Sequence, residues 1–395
     1  MSLLNTKNAL SVIMPIGTDF GWGICGQYLT KELAELCDVR LVSEDFGRDR
    51  VGDNTTYDIL KSLCLNAKGP KTEGVPALNS LDGPVLQTVR GPDLRPWLME
   101  AQGRPTIGYT FFETNRLKKE DVERAKAYYD VLVAGSSWCE GVLRRHGIKH
   151  TQTIVQGIDQ QAFCDRDIER SYFKDKFVIF SGGKLELRKG QDLVIRAFKV
   201  LQDKYSDVLL VTLWFNPWPA CLRTMCMSPY IRFDAFQGDY GAAMNHVLRD
   251  NGVDPSRAVH VIPTQHRDLA RIYGNTDVGL FPNRCEGGTN LVLMEYMACG
   301  KPAIASYCSG HRDILTRRNS IQLRELHPFN VQDQGGRVLY NWQEPSLDEI
   351  VSALEWAYEN RDTLRVIGQE AGACMRRFTW KRAASAFYDL AYERC

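Results

Sequence analysis

Short strand-like runs alternate with stretches of helical periodicity along almost the whole chain. This alternation is typical of an α/β protein with parallel sheets, because parallel strands are joined by helical crossovers. In the first half the pattern predicts strands near 11–16, 39–43, 106–112, 131–134 and 152–155, and helices near 23–37, 118–128 and 137–147. Residues 47–95 are rich in Gly, Pro and Asn and weakly periodic, so no element is assigned there.

A polar stretch at 165–171 interrupts the pattern, which then repeats. The second half predicts strands near 177–181, 208–214, 259–262, 277–281 and 303–306, and helices near 190–204, 240–251, 266–274 and 289–299. From about 346 the periodicity is helical only, and the final helix begins at 378–380. We therefore expect a first domain at 1–165, a second domain at 172–375 and a C-terminal helix at 376–395.

The composition is that of a globular protein, with 395 residues, 44% hydrophobic and 25% charged. Because Lys+Arg 49 nearly balance Asp+Glu 48, the net charge of +1 gives no general attraction to nucleic acid or to an anionic membrane. No apolar run approaches the roughly 20 residues of a membrane span, and no signal-peptide core is present. The 12 cysteines lack metal spacing, so we expect free thiols and a cytoplasmic location.

The segment 284–302 carries the strongest chemical signal. It follows a buried-strand pattern, and its Gly287-Gly288 turn leads to Thr289 as the expected N-cap of a helix. The unpaired N–H groups of the first turn, those of Asn290, Leu291 and Val292, predict a phosphate site there. Glu295 lies about 6 Å further along the helix, within reach of a ribose, and Glu286 precedes the turn.

This segment resembles the two-glutamate signature of family 4 of the nucleotide-sugar glycosyltransferases. The resemblance implies the GT-B fold, in which two Rossmann-like, doubly wound domains face each other across a cleft and the terminal helix crosses back to the first domain. It also implies that Glu286 contacts the donor sugar and Glu295 the ribose. The family usually has seven residues between the glutamates, whereas this chain has eight. An ordinary β-turn-α unit with two incidental glutamates is the alternative.

A second motif follows the strand at 177–181. Gly182 and Gly183 let the backbone approach a ligand closely, and Lys184 and Lys189 follow on the way into a helix. The motif resembles the basic pair with which the family binds the donor diphosphate, with Lys184 in place of the usual arginine and Arg188 beside Lys189. Two fixed cations stabilise a departing diphosphate. A solvated, basic helix start is the alternative.

The first half contains a weaker glycine pattern, Gly-x-Gly-x-x-Gly, centred on Gly23. With Glu44 or Asp45 as the expected acidic residue, it leaves an NAD(P)-dependent oxidoreductase open. In the resembling family the same loop contacts donor phosphates or the acceptor, and Asp19 is a candidate acceptor contact or a plain turn residue.

The strand that ends near 112 reaches the position where many family members have a histidine. This chain has Phe112 there, and Glu113 is the candidate acceptor-side carboxylate or general base, with helix capping as the alternative. Ile262 lies where the family contacts the base through its backbone.

Two further segments have open roles. The aromatic insertion at 214–240 is either an acceptor lid or a segment packed on itself. A basic patch at 144–150 is either a solvated helix face or a site for an anionic acceptor or for peripheral membrane contact.

The resemblance implies transfer of a hexosyl group from a nucleoside-diphosphate sugar with retention at the anomeric carbon. The acceptor (sugar, glycan, lipid or protein) is left open, and no cofactor is expected beyond the nucleotide-sugar co-substrate. No metal is expected, because no Asp-x-Asp motif ends a strand. A catalytically inactive nucleotide-sugar-binding protein of the same fold is the main alternative.

Overall fold

The computed structural model describes residues 9–65, 81–166, 170–216, 218–234, 238–262, 265–332, 335–336 and 338–393. Its internal contacts divide the chain into two compact units, Met1–Asp159 with Phe378–Cys395, and Gln160–Arg377. The first unit is therefore built from two separate parts of the sequence, and the second unit is continuous. The division falls close to the predicted domain boundary.

The described part of the chain contains both strands and helices, which alternate for most of its length up to residue 306. The strands are β1 (Leu10–Ile13), β2 (Val39–Val42), β3 (Val85–Val89), β4 (Thr106–Thr110), β5 (Val131–Ala134), β6 (Thr151–Thr153), β7 (Phe177–Gly183), β8 (Val208–Trp214), β9 (Ala258–His260), β10 (Val278–Phe281), β11 (Ala303–Ser306), β12 (Ile321–Leu323), β13 (Leu326–Gln332) and β14 (Val338–Pro345). The helices are α1 (Gly21–Ala34), α2 (Asn54–Leu63), α3 (Lys119–Tyr128), α4 (Ser137–Arg145), α5 (Gln191–Lys204), α6 (Pro219–Leu222), α7 (Tyr240–Asp250), α8 (Leu269–Gly274), α9 (Leu291–Ala298), α10 (Leu347–Glu359), α11 (Arg361–Met375) and α12 (Trp380–Tyr392). None of these helices combines the length and apolar character that spanning a bilayer requires.

The first unit holds a six-stranded parallel sheet in the order β2-β1-β3-β4-β5-β6. Helix α12 packs against α1 in this unit. The ring of Tyr28 stacks on Trp380 with centroids 5.8 Å apart, and the Tyr28 hydroxyl donates to Asp159 at 2.9 Å. The C-terminal helix is thus an integral part of the first unit.

The second unit holds another six-stranded parallel sheet, in the order β12-β11-β10-β7-β8-β9. Read from β9, the sequence order is 3-2-1-4-5-6, which is the doubly wound order of dinucleotide-binding folds. The apolar side chains of β7, β8, β10 and α5 form one continuous core. The order reverses between β7 and β10, where this architecture places its ligand.

The predicted α/β class and both parallel sheets are confirmed. Strands β5, β8 and β11 have the predicted bounds. Strand β3 was not predicted, because its buried Gln87 and Thr88 interrupt the apolar run. The Gln87 amide finds a buried partner by donating to Ala101 O at 2.9 Å. The antiparallel hairpin β13–β14 was also missed, since Pro328 and several polar residues mask it.

Candidate functional site

The carboxyl ends of β7 and β10 form the site. Gly182 and Gly183 end β7. A Cβ atom on Gly182 would lie 2.8 Å from Val292 Cγ1, and Gly183 has a φ of +123° with its missing Cβ position 3.7 Å from Lys189 Cδ. The strand end therefore runs beside the first turn of α9 and beside Lys189, and this close approach favours glycine.

The connection between β7 and α5 directs two cations towards Glu286. A 3-10 turn ends at Lys189, and Gly190 follows with a φ of +75°, where a Cβ would lie 2.2 Å from Pro282 O. The connection is therefore pressed against the loop that follows β10. As a result, Lys189 Nζ lies 2.6 Å from Glu286 Oε1, and Arg188 Nη1 lies 3.0 Å from Glu286 Oε2.

Glu286 is a buried carboxylate, with 6% of its side chain exposed. Asn283 donates a hydrogen bond to its Oε1, and its own N–H donates to Ser309 Oγ at 2.7 Å. Burial alone raises the pKa of Glu286, but the charges on Lys189 and Arg188 outweigh burial and lower the pKa to about 2. Glu286 is therefore ionised at neutral pH, and both of its oxygens are bound.

The turn between the two glutamates differs from its prediction. Asn290, and not Thr289, is the N-cap residue of α9, and its φ of 64° is left-handed. Thr289 Oγ1 donates instead to Met294 Sδ at 2.9 Å, so the prediction that Thr289 caps the helix is wrong. Asparagine tolerates a positive φ better than most residues do.

His311 fixes the side chain of Asn290. Its Nδ1 lies 3.0 Å from Ser306 O and its Nε2 lies 3.3 Å from Asn290 Nδ2. Because a carbonyl only accepts, Nδ1 carries the proton and Nε2 accepts from the amide. Burial lowers the pKa of His311 to about 4, so the ring is neutral at neutral pH. Leu291 then begins α9, whose first-turn N–H groups offer an anion site.

The segment 286–288, which precedes Asn290, packs closely against Gly310. A Cβ atom on Gly310 would lie 1.7 Å from Gly288 O, and Gly310 N donates to Glu286 O at 3.0 Å. The Gly287-Gly288 turn therefore has a defined position, and its glycines leave the site free of side-chain bulk.

Glu295 is buried within α9, with a relative exposure of 3%. Its Oε1 lies 2.8 Å from His266 Nε2, and the edge of His266 packs on Phe163 with centroids 5.0 Å apart. The sequence did not single out His266, since it precedes Glu295 by 29 residues and belongs to no motif. This histidine fixes the carboxylate predicted to bind ribose.

Lys184 has a different partner from Lys189. Its ammonium lies 4.3 Å from the centre of the Trp218 ring, whereas Lys189 is bound to Glu286. Trp218 belongs to the aromatic insertion, of which Pro217 and residues 235–237 lie outside the described residues. The two lysines predicted to act as a basic pair are therefore held by separate partners.

Arg284 joins the two loops of the site and was missed by the sequence. Its side chain is fully buried and contacts Asp192 at 2.8 Å and Glu344 at 2.7 Å. The guanidinium also donates to Leu187 O, and the backbone N–H of Arg284 donates to Arg188 O at 2.8 Å. The arginine thus links the connection before α5, the loop after β10 and strand β14. No local pattern distinguishes such an arginine from a solvated one.

The predicted residues of the first unit lie at the carboxyl edge of its own sheet. A Cβ atom on Gly23 would lie 2.6 Å from Gly17 O, so this glycine lets the first turn of α1 pack closely on the loop that precedes it. Phe112 is 1% exposed and belongs to the core, and Glu113 follows it, half-buried. Asp19 pairs with Arg50 at 3.1 Å.

Ile262 is the most exposed of the predicted site residues. It is 73% exposed, and the two residues that follow it lie outside the described part of the chain. Its predicted contact with the base therefore stays a prediction.

Comparisons with known proteins cover both sequence and fold. Residues 237–328 match the family described as "Glycosyl transferases group 1". The chain is 25% identical over 198 residues to a GDP-mannose-dependent alpha-(1-6)-phosphatidylinositol dimannoside mannosyltransferase of Mycobacterium tuberculosis, covering 49% of this chain and 45% of that protein. It is 25% identical over 283 residues to a D-inositol 3-phosphate glycosyltransferase of Xylanimonas cellulosilytica, covering 68% and 58%.

Among solved structures, sucrose-phosphate synthase of Thermosynechococcus elongatus has a TM-score of 0.66 at 14% identity, with 98% of both chains covered. Anabaena Alr3699/HepE in complex with UDP and glucose has a TM-score of 0.63 at 12% identity, covering 97% of this chain and 99% of that one. These likenesses show the fold. The chain matches about half the length of the first curated relatives.

Proposed function

We propose that this chain, a group 1 glycosyltransferase of the GT-B fold, transfers a hexosyl group from a nucleoside-diphosphate sugar to an acceptor with retention of anomeric configuration. The relatives support this reaction class, since their names include a GDP-mannose-dependent mannosyltransferase and a protein solved with UDP and glucose. Acceptors named for the relatives include phosphatidylinositol mannosides and inositol phosphate.

One observation carries the proposal. Lys189 and Arg188 meet Glu286 within 3.0 Å, and Gly182 and Gly183 run between Lys189 and the first turn of α9. Cations, a helix N-terminus and a glycine strand end are the groups that bind phosphate. Their convergence at the switch point of the second sheet favours a diphosphate as the ligand.

The residues take distinct roles in this proposal. The N–H groups of Asn290 and Leu291, together with Lys184, Arg188 and Lys189, bind the diphosphate. Glu286 accepts hydrogen bonds from hydroxyl groups of the sugar, and Lys189 and Arg188 hold the carboxylate in place. Glu295 contacts the ribose and Ile262 the base. Gly23 is a further donor-binding residue, and Glu113 is the acceptor-side carboxylate or general base.

The chemical step exchanges one C–O bond for another. The acceptor hydroxyl attacks the anomeric carbon on the face from which the diphosphate departs, and the sugar–phosphate bond breaks. The acceptor proton passes to the departing phosphate oxygen, so the step balances without a histidine at position 112. Lys184 and Lys189 stabilise the charge that develops on the diphosphate.

A panel of nucleotides tests the proposal. Thermal shift with UDP, GDP, ADP, their sugars and NADH identifies the ligand, because a ligand that binds the folded state raises its stability. Donor affinity, donor hydrolysis and transfer are then measured in the wild type and in Lys189→Ala and Glu295→Ala. We expect binding to weaken at least tenfold in both variants, about 1.4 kcal/mol, with Lys199→Ala, which removes the pair with Asp203 on α5, as control.

The panel also separates the alternatives. Binding without hydrolysis or transfer would indicate the catalytically inactive nucleotide-sugar-binding protein. Unchanged donor affinity in both variants would overturn the site assignment. Stabilisation by NADH but not by any nucleoside diphosphate would indicate the oxidoreductase.

A further inference from the structure

The aromatic insertion after β8 is attached to the basic connection between β7 and α5. Asn216 Nδ2 donates to Leu185 O at 3.0 Å, and Leu187 N donates to Thr224 Oγ1 at 3.0 Å. Ser228 Oγ donates to Asp192 Oδ2 at 2.7 Å. Each contact joins a side chain to the stretch that carries Arg188 and Lys189, so the insertion supports the donor side of the second unit.

The apolar side chains in the described part of the insertion differ in burial. Met225, Ile231 and Phe233 are buried in the core of the second unit. Trp218 is only half-buried, and its ring faces the ammonium of Lys184 at 4.3 Å. Core packing explains the three buried side chains, but it does not explain why an indole is held over this lysine.

We propose that Trp218 is a positioning residue that holds Lys184 ready for the diphosphate of the donor. This inference rests on the proposed function, because it assigns a role within the same phosphate site. The insertion thereby becomes part of donor recognition, in place of the two roles that the sequence suggested for it.

The chemistry of lysine explains the need for such a support. A lysine ammonium is a point charge on a flexible stem, whereas the arginine usual in the resembling family presents a rigid fork of donors. An indole face attracts the ammonium through the negative charge density of its ring. An ammonium has three N–H donors, so one side rests on the ring while the others bind phosphate oxygens.

A double-mutant cycle tests the coupling between the two side chains. Trp218→Leu, Lys184→Met and the double variant are titrated calorimetrically with UDP or GDP, whichever raises the melting temperature more, and with the corresponding monophosphate. We expect each single change to weaken diphosphate binding about fivefold, near 1 kcal/mol. We expect the double variant to bind no more weakly than Lys184→Met, and monophosphate binding to change little.

Two further variants separate positioning from packing. Trp218→Phe keeps a ring and should retain most of the affinity, and Phe215→Leu changes an exposed aromatic residue of the same insertion and should have no effect. Melting temperatures establish that each variant is folded. If Trp218→Leu does not fold, the same cycle with Trp218→Phe should show a smaller coupling of the same sign.

The outcomes distinguish this inference from the proposed function. Independent, additive losses in the double variant, or equal losses for diphosphate and monophosphate, would overturn the role of Trp218. Weak binding by Lys189→Ala together with wild-type binding by Trp218→Leu would overturn the inference and leave the proposed function in place. Wild-type binding by Lys189→Ala, Glu295→Ala and Trp218→Leu would overturn both.

Discussion

Lys189 and Glu286 form a buried ion pair, with 2.6 Å between Nζ and Oε1. The two residues come from different motifs, one after β7 and one after β10. Because the strands are adjacent in the sheet, the pair joins the cation proposed to bind phosphate to the carboxylate proposed to face the sugar. In that proposal, a donor meets two preassembled loops.

Removing Lys189 should weaken both the fold and the site. Lys189→Ala leaves the buried Glu286 carboxylate with Arg188 as its remaining cation, and we expect the free energy of unfolding to fall by about 1–3 kcal/mol. Urea denaturation measures this. Lys199→Ala, which breaks an exposed pair with Asp203 on α5, should change stability by less than about 0.5 kcal/mol. Equal effects from both lysines would contradict the burial argument.

His311 should make stability depend on pH. Its pKa of about 4 in the folded state lies below the ordinary 6.5, so the unfolded chain binds the proton more readily between these values. The contribution of the neutral His311 ring to the free energy of unfolding is complete above about pH 6.5 and is lost as pH falls towards 4. The full window corresponds to roughly 3 kcal/mol.

The comparison uses urea denaturation of the wild type and of His311→Gln at pH 7.5, 6, 5 and 4.5. We expect the stability difference between pH 7.5 and 4.5 to be smaller in His311→Gln. The exposed His327, replaced in the same way, is the control. Parallel pH profiles for the wild type and His311→Gln would contradict the prediction.

Glu295 should recognise ribose hydroxyls. Glu295→Ala is expected to weaken binding of the ribonucleoside diphosphate about tenfold, near 1.4 kcal/mol. The same change should have little effect on the 2′,3′-dideoxynucleoside diphosphate, because that ligand lacks both hydroxyls. Calorimetric titration with the two ligands measures the difference. An equal loss for both would show that the variant acts through the packing of His266 and Phe163.

Arg284 should be among the residues most sensitive to substitution. Arg284→Met leaves Asp192 buried without its cation and Glu344 without its ion pair, and we expect a loss of about 3–5 kcal/mol in the free energy of unfolding. The control is Arg361→Met, since Arg361 is half exposed and pairs with Asp207 at 3.3 Å. It should cost less than about 1 kcal/mol. A small loss for Arg284→Met would show that its carboxylates find other partners.

The sequence predicted most strands of both sheets because buried parallel strands are continuous apolar runs. It failed where buried polar groups are satisfied from outside their own strand, as Gln87 is by Ala101 O. It also failed for the hairpin β13–β14, whose outer face is polar. The bounds of α9 shifted because Asn290 adopts a positive φ, a choice that no periodicity records.

The candidate site shows the same difference between local signals, which the sequence records, and contacts across the fold, which it does not. Glycines and charges at strand ends are local signals, so the sequence identified Gly182, Gly183, Lys189 and Glu286. Partners that meet across the fold carry no such signal. His266, Arg284 and Trp218 each contact a residue at least 29 positions away, and only the topology brings them together.

The first unit is built from both ends of the chain, and this affects how the protein folds as it is synthesised. Helix α12, which packs on α1 in that unit, follows the whole second unit along the chain. On the ribosome the second unit can complete its core as one continuous stretch. The part of α1 that packs against α12 stays uncovered until α12 has emerged. A chaperone that binds nascent chains would find its exposed surface there.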